Sequence, residues 1–243
     1  MNEERIVGNY EGIKVQEVPF GIMENCYGEK QEYLMDILSD PKETEEKLRP
    51  VIIFVHGGGF IQPADKRQSY VSLICRECIK AGYVAVAPDY PVYNNSEERM
   101  ADGSSAIYVK PPEAIKMAYD FVLANAEKYG FDTKRISLIG GSAGSISGYN
   151  ALAIYKDISV TCFGALWGVT PELPDVSNFP PIFSVQGTKD MTYDRQAGVC
   201  KAFSDAHISC TLVSIGGSGH CPIDKIGEFV PPLINFLDYY NKK

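Results

Sequence analysis

Residues 138–145 read LIGGSAGS, and the predicted fold depends on this stretch. A short apolar run ends here, and Gly140, Ser142 and Gly144 form the pattern G-x-S-x-G. Between a strand and a helix, this pattern builds a tight turn that exposes the serine hydroxyl at its tip. The positive end of the following helix favours a developing anion. A plain glycine-rich turn would give the same letters, so the interpretation depends on the flanking elements.

Strands and helices alternate on both sides of this turn, without an internal repeat or a long linker. Apolar runs bounded by turn residues predict strands at 13–20, 32–38, 51–55, 83–90, 134–140, 160–168, 180–187 and 208–217. Helices are predicted near 67–80, 112–129, 194–206 and 224–240 and after the serine turn, with a polar loop at 94–105 (NNSEERMADGSS). This order predicts one α/β domain over residues 1–243, with a mostly parallel central sheet and helices on both faces. In such sheets ligands bind beyond the carboxyl ends of the strands.

Composition and charge narrow the class of protein. Of 243 residues, 45% are hydrophobic and 22% are charged, which is typical of a soluble globular protein. The net charge of -8 argues against a nucleic-acid partner. The polar N-terminus lacks a signal-type apolar segment, and no apolar run is long enough for a membrane span. We therefore expect a cytoplasmic protein with no membrane partner.

The seven cysteines are scattered, which favours a reducing compartment over a disulfide framework. Cys75 and Cys78 have CxxC spacing, but they lie inside a predicted helix and no second pair completes a zinc site. We expect both to be packing residues, because a buried free cysteine behaves as a small hydrophobic side chain.

A nucleophilic serine needs a base, normally histidine, and the chain has three. His207 lies between a predicted helix and a strand, where it is expected to face solvent away from the serine. His56 precedes three glycines and is expected to form a structural hydrogen bond. His220 lies in the loop SIGGSGHCP after a late strand, and this loop should reach the sheet edge that carries Ser142. His220 is therefore the candidate base.

The base needs a carboxylate partner, and VQGTKDMTYD offers two. Asp190 lies closer to the end of its strand, in a Gly-Thr-Lys-Asp turn. Asp194 has the position of a cap for the following helix, which is a structural role. Asp190 is therefore the candidate acid.

The stretch VIIFVHGGGF (51–60) places three glycines directly after an apolar strand. Attack on an acyl carbon creates an oxyanion that must meet N–H donors in a prearranged site. The amide of Ala143, just after the candidate nucleophile, is one expected donor. The loop at residues 57–60, the glycine loop, has little side chain and can bring bare backbone close to a substrate. A phosphate-binding loop is the competing interpretation. However, HGGGFIQPAD lacks the third glycine of the dinucleotide motif and the Gly-Lys-Ser/Thr ending of a P-loop.

Together, HGGGF, GGSAG, the G-T-x-D turn and the G-G-x-G-H loop resemble the α/β-hydrolase esterases from about residue 13 to the C-terminus. The HGGG element is similar to that of hormone-sensitive-lipase-like carboxylesterases and of small acetyl-xylan and feruloyl esterases. The chain departs from the former in lacking a helical N-terminal cap and in having DYPV at 89–92 in place of the usual D-Y-R-L. Both departures favour a fold with little or no cap, like that of the carbohydrate esterases.

The resemblance implies a serine esterase with Ser142 as nucleophile, His220 as base and Asp190 as acid, in the chain order of the α/β-hydrolase triad. It also implies oxyanion donors at Gly58, Gly59 and Ala143, although the residues alone do not decide which two of the three glycines donate. No metal or organic cofactor is required. Because the base must be neutral, we expect activity to fall below about pH 6.

The substrate is expected to be a small ester, with a short acyl group such as acetyl, or a feruloyl group, on a carbohydrate. Residues 91–110 and 168–180 are candidate lid loops, and Phe60 and Trp167 are the candidate pocket residues. Other acyl hydrolases (thioesterase, lactonase, formamidase or peptidase) use the same triad and stay open as alternatives. A non-catalytic relative that binds small molecules is the remaining alternative.

Overall fold

The computed structural model of the protein describes residues 10–43, 47–103, 105–170, 175–177 and 179–242. Strands are β1 (Lys14–Glu24), β2 (Lys30–Ser39), β3 (Arg49–Val55), β4 (Val84–Pro88), β5 (Phe131–Gly141), β6 (Phe163–Leu166), β7 (Ile182–Gly187) and β8 (Cys210–Ile215). Helices are α1 (Ser69–Lys80), α2 (Ser96–Ala101), α3 (Lys110–Ala124), α4 (Ala126–Tyr129), α5 (Ala143–Ile154), α6 (Tyr193–Asp205) and α7 (Ile226–Asn241). Short 3₁₀ turns lie at Ala106–Tyr108 and Ile223–Lys225.

The eight strands form one sheet in the order β1-β2-β4-β3-β5-β6-β7-β8. β1 and β2 are antiparallel to each other, β2 is antiparallel to β4, and β3 to β8 run parallel. The strand order reverses at β3, which lies between β4 and β5. Ligands in open α/β sheets bind at such a reversal. The loops that follow β3 and β5 therefore lie side by side, where the sequence predicted the glycine loop and the serine turn.

Two apolar layers cover the sheet, which explains why β3 is buried along its whole length. Val51, Ile53 and Val55 face a layer that includes α3, α5 and α6. Ile52 and Phe54 face the other layer, which includes α1 and α7. Fully burying one such side chain contributes about 1.5–3 kcal/mol. A continuous apolar run is the pattern expected of a strand buried on both faces.

In the β1–β2 hairpin, β1 alternates between buried and exposed residues only in part, whereas β2 is buried on both faces from Met35 to Ser39. Val18 pairs with Met35, and both are buried. The Asn25 side chain accepts hydrogen bonds from the amides of Tyr27 (2.9 Å) and Glu29 (3.0 Å) and so shapes the connecting turn. The predicted strands and their turn are confirmed.

Three local expectations differ from the structure. The polar stretch 94–105 contains α2, where a loop was predicted. The helix predicted over 112–129 is interrupted at Asn125, which separates α3 from α4. Asp194 does not cap α6, because Thr192 has the cap position and Asp194 lies in the first turn. Of the second candidate lid loop, residues 171–174 and 178 lie outside the described residues.

Within the residues that the structure describes, the fold has little or no cap. Between β4 and α3 the described residues add only α2 and one 3₁₀ turn, and the described part of the β6–β7 connection contains no helix. Within the described ranges, no helix is long and apolar enough to cross a membrane.

Candidate active site

The turn from β5 into α5 holds Ser142 in a strained conformation. Its φ is 53° and its ψ is -115°, in a region that residues with side chains rarely adopt. Surrounding structure enforces this geometry, because the Ser142 amide donates to the Leu166 carbonyl (2.8 Å) and the chain turns directly into the helix. Such strain at an element boundary is typical of functional serines.

Glycines flank Ser142 because the backbone packs too closely for any side chain. A Cβ on Gly144 would lie 2.1 Å from the Val55 carbonyl oxygen, and one on Gly140 would lie 2.4 Å from the Gly144 carbonyl oxygen. A Cβ on Gly168, after β6, would lie 2.2 Å from the Ser142 carbonyl oxygen. The G-x-S-x-G pattern is therefore a requirement of packing between β3, β5 and α5.

Asp190 lies in the tight turn after β7, and its side chain is almost fully buried. Its Oδ1 accepts hydrogen bonds from the amide and the hydroxyl of Thr192, both at 2.9 Å. Burial raises the pKa of this carboxyl, but the hydrogen bonds from Thr192 and His220 outweigh burial, so its pKa lies below the ordinary value. Asp190 is thus a fixed carboxylate.

His220 lies in the loop after β8 and joins the other two residues. Its Nδ1 is 2.6 Å from Asp190 Oδ2, and its Nε2 is 2.9 Å from Ser142 Oγ. The two loops pack tightly here, since a Cβ on Gly187 would lie 2.1 Å from the Gly219 carbonyl oxygen, and the Lys189 amide donates to Ser218 (2.8 Å). The structure therefore brings Ser142, His220 and Asp190 into one hydrogen-bonded chain.

This arrangement fixes the tautomer of the imidazole. Because Asp190 is an acceptor only, Nδ1 carries the proton and donates to it. Nε2 then has a free lone pair and accepts from the Ser142 hydroxyl. The His220 side chain is 52% exposed, so one side of the site is open to solvent. The arrangement can take a proton from Ser142 and return it to a leaving group.

The glycine loop lies beside Ser142, and a Cβ on Gly57 would be 3.1 Å from the Ser142 Cβ. The Gly57 amide donates to the Tyr70 hydroxyl at 2.5 Å, so it is occupied. The amides of Gly58, Gly59 and Ala143 have no acceptor among the described residues. The structure therefore favours Gly58 and Gly59 over Gly57 as donors to an anion, a choice that the sequence left open.

The glycines of this loop have two structural reasons beyond access to bare backbone. A Cβ on Gly57 would lie 2.8 Å from both the Gly141 carbonyl oxygen and the Tyr70 hydroxyl, and one on Gly58 would lie 2.2 Å from the Ala64 Cβ. Gly58 and Gly59 also have positive φ angles, 104° and 64°. Close packing therefore excludes side chains at Gly57 and Gly58, and the positive φ angles disfavour them at Gly58 and Gly59.

His56 anchors the start of the glycine loop from within the core. Its Nδ1 is 2.8 Å from the Gly57 carbonyl oxygen, and its ring stacks on Tyr90 with 4.1 Å between centroids. The Tyr90 hydroxyl donates to the His56 carbonyl oxygen at 2.8 Å. Burial lowers the pKa of His56, so the ring is neutral. The structural hydrogen bond expected for His56 is present.

The two candidate pocket residues, Trp167 and Phe60, are buried. Trp167 is fully buried, with its ring centroid 5.5 Å from that of Tyr70 and 5.6 Å from that of Phe229, so the prediction that it lines the pocket is wrong. Its φ of 39° sends the ring into the layer covered by α1 and α7. Phe60 is only 3% exposed and packs near Tyr90, so little of its ring can face a substrate.

Two further expectations about non-catalytic residues agree with the structure. Cys75 and Cys78 are fully buried in α1 as packing residues. His207 is exposed between α6 and β8, before β8 begins, and so lies at the opposite edge of the sheet from Ser142.

Three side chains that the sequence did not predict hold the glycine loop: Tyr70 on α1, Tyr90 after β4 and Arg99 on α2. Arg99 Nη1 donates to the Gly59 carbonyl oxygen. No local pattern identifies the two tyrosines, because their contacts are made only by the folded sheet. A signal for α2 was present, since Asn95 followed by Glu98 matches a helix-capping pattern.

Comparison with known proteins supports the architecture. The family model named BD-FAE matches residues 35–151, which include the glycine loop and the serine turn. No curated protein matches the chain.

Three similar solved structures are MGS-M1, an α/β-hydrolase enzyme from a Medee basin deep-sea metagenome library, one of two fungal esterases from Rhizomucor miehei, and esterase 2 of Thermogutta terrifontis phosphorylated by paraoxon. MGS-M1 is 15% identical with a TM-score of 0.74, over 96% of this chain and 100% of its own. The fungal esterase is 19% identical with a TM-score of 0.73, over 94% and 84%. The Thermogutta esterase is 19% identical with a TM-score of 0.71, over 98% and 97%. The chain thus has the α/β-hydrolase fold.

Proposed function

We propose that this protein is a serine hydrolase that cleaves carboxylic esters through an acyl-enzyme. One observation carries the proposal: the hydrogen-bonded chain from Ser142 through His220 to the buried Asp190, built on a strained turn at the helix N-terminus. The esterases among the similar structures, one of them phosphorylated by paraoxon, support the same chemistry.

The acylation step follows from the geometry. His220 Nε2 takes the proton of the Ser142 hydroxyl as Oγ attacks the ester carbonyl carbon. The carbonyl oxygen becomes an oxyanion, and we expect the amides of Gly58, Gly59 and Ala143 to donate to it near the N-terminus of α5. Asp190 stabilises the imidazolium. His220 then returns the proton to the leaving alcohol as the ester C–O bond breaks.

Deacylation repeats these roles with water. Water gives a proton to His220 Nε2 and attacks the acyl carbon, and the acid product leaves as Ser142 regains its proton. Because His220 must be neutral to act as base, the rate should fall at acidic pH.

The proposed substrate is a short acyl ester or a feruloyl ester, with a carbohydrate as the alcohol. The support is the openness of the site. His220 is half-exposed, Met191 beside Asp190 is 97% exposed, and no cap covers the site within the described ranges. An open site admits a bulky, hydrated alcohol such as a sugar.

The substrate proposal is tested by a panel of acetylated sugars, feruloyl esters and short p-nitrophenyl esters, with thioester, lactone and amide substrates beside them. We expect the highest kcat/KM on an ester of a sugar. Higher kcat/KM on a thioester, lactone or amide would replace the ester assignment with another acyl transfer on the same residues.

The nucleophile is tested by labelling with a fluorophosphonate probe. Wild type should be labelled at one residue per chain, and Ser142→Ala should abolish labelling and hydrolysis. Ser204→Ala is the matched control, because Ser204 is exposed on α6 and should leave labelling unchanged. Folded wild type that is not labelled, or Ser142→Ala that still is, would overturn the proposal.

A further inference from the structure

Arg99 reaches from α2 to the glycine loop. Its Nη1 donates to the Gly59 carbonyl oxygen, and a Cβ on Gly59 would lie 3.7 Å from the same nitrogen. Arg99 is partly buried. Its guanidinium, a planar group with five N–H donors, therefore lies against the peptide that follows one of the proposed oxyanion donors.

Three consecutive residues of the glycine loop have positive φ angles: 104° at Gly58, 64° at Gly59 and 64° at Phe60. The Ile61 amide donates to the Gly58 carbonyl oxygen at 3.3 Å and closes a tight turn around Gly59 and Phe60. Glycine loses more chain entropy on folding than any other residue, so this turn needs contacts from outside to stay in one conformation. Arg99 supplies such a contact at the centre of the turn.

The helix that carries Arg99 is itself fixed from two sides. Asn95 caps α2 by accepting from the Glu98 amide at 2.9 Å. The Tyr27 hydroxyl, at the tip of the β1–β2 hairpin, donates to the Glu98 carboxylate and accepts from the Asn94 amide at 2.8 Å. The hairpin tip therefore sets the position of α2 and, through it, the position of Arg99.

The same segment is joined directly to the glycine loop by backbone hydrogen bonds. The Tyr93 amide donates to the Phe60 carbonyl oxygen at 2.9 Å, and the Gln62 amide donates to the Tyr93 carbonyl oxygen at 2.8 Å. The Tyr93 hydroxyl donates to Asp102 after α2. Residues 93–102 and the glycine loop thus form one connected unit, with Arg99 bridging its two halves.

We propose that Arg99 is a positioning residue for the oxyanion site. Arg99 holds the Gly59 carbonyl, so that the Gly58 and Gly59 amides stay directed at the reacting carbonyl oxygen of the substrate. This inference rests on the proposed ester hydrolysis. Because the contact is to backbone, Arg99 acts on the transition state through the loop. Its loss should therefore lower kcat while KM changes little.

The test replaces Arg99 with alanine and with lysine. In Arg99→Ala we expect kcat to fall about 10- to 100-fold, less than or comparable to the loss of a direct oxyanion donor, with KM changed by less than about threefold. The rate constant for fluorophosphonate labelling should fall in parallel, because the phosphonyl oxygen uses the same donors. Arg99→Lys should recover part of kcat, and added guanidinium should partly restore Arg99→Ala without accelerating wild type.

Glu97→Ala is the matched control, since Glu97 is exposed in the first turn of the same short helix. Its kcat should stay within about twofold of wild type. If Arg99→Ala does not fold, Tyr27→Phe decides, because it removes only a hydroxyl from an exposed ring and should lower kcat about two- to fivefold through α2.

The possible outcomes separate this inference from the proposed function. Unlabelled, inactive wild type would remove the proposed function itself. Active wild type with unchanged kcat in Arg99→Ala and Tyr27→Phe would overturn only the role of Arg99. A rise in KM at constant kcat would also overturn it, because Arg99 would then be contacting the substrate.

Discussion

Gly144 has no room for a side chain, whereas Gly198 has open space around it, and the contrast isolates the packing of the serine turn. A Cβ on Gly144 meets backbone oxygens of Val55 and His56, which cannot rotate away. A Cβ on Gly198, inside α6, meets nothing within 4 Å. Replacing each of these two glycines with alanine should therefore change the stability of the protein in opposite directions.

We expect Gly144→Ala to lower the free energy of unfolding by about 3 kcal/mol or more, because backbone must move to admit the methyl group. Gly198→Ala should raise it by about 0.5–1 kcal/mol, because alanine stabilises a helix interior relative to glycine. Urea unfolding of both variants measures the two signs. A neutral Gly144→Ala would mean that the serine turn is not held by close backbone packing.

The two carboxylates after β7, Asp190 and Asp194, should differ in their effect on kcat. Asp190→Asn keeps the shape of the side chain but removes the charge that holds the His220 tautomer, so kcat should fall about 1,000-fold or more with the fold intact. Asp194→Asn should leave kcat within about twofold, since Asp194 is exposed in the first turn of α6. Steady-state kinetics and circular dichroism on both variants give the comparison, and equal losses in the two would reassign the acid.

For single residues, the sequence predicted the roles that are indicated by the immediate neighbours of the residue in the chain. Ser142, His220 and Asp190 stand in loops after strands with glycines beside them, and the structure joins them by hydrogen bonds. Trp167 was misplaced because adjacency to a strand end does not say to which face a turn sends the ring. Arg99 was missed because its partner is a carbonyl 40 residues away.

Among the elements, α2 shows why short polar helices escape prediction. It has six residues and none is buried, so it lacks the apolar periodicity on which helix prediction depends. Its signal is only the pairing of Asn95 with Glu98 at its start. By contrast, β3 carries a continuous apolar run and β5 and β7 carry short, mostly apolar ones, and these runs predicted the order of strands and helices.

We expect Asn95→Ala to loosen α2 by about 1 kcal/mol, because the Glu98 amide loses its acceptor. Since α2 carries Arg99, kcat should fall by up to about fivefold, which is the factor that 1 kcal/mol represents. The melting temperature should hardly change, because α2 buries no side chain. Ser96→Ala, which removes an exposed hydroxyl next in sequence, is the control, and an unchanged kcat in Asn95→Ala would show that α2 does not need its cap to position Arg99.

For the whole molecule, the buried neutral His56 makes stability depend on pH. Burial lowers its pKa in the folded state, so the unfolded chain binds its proton more readily. The contribution of His56 to the free energy of unfolding is therefore fully present above the ordinary imidazole pKa of about 6.5. This contribution declines as pH falls from there toward the lowered pKa of His56 in the folded state. Asp190, whose pKa is also lowered, adds to the loss only below about pH 3.9.

The resulting expectation is a lower free energy of unfolding at pH 5 than at pH 8, with His56 as one source of the difference. His56→Asn removes the titrating ring, so the difference between the two pH values should shrink even if the variant is less stable at both. Urea unfolding at the two pH values, with His207→Asn as the exposed control, measures this. An undiminished difference in His56→Asn would mean that other groups dominate.

The sheet order has a consequence for how the protein is made. The glycine loop and Ser142 follow neighbouring strands, β3 and β5, and both are synthesised before residue 150. Asp190 and His220 come from β7 and β8, the last strands at one edge. Under the proposed mechanism, the nascent chain therefore carries the nucleophilic serine before its base, and we expect the serine to become nucleophilic only when the final strand docks. Completion of the sheet would then also be the step at which the chain first becomes reactive.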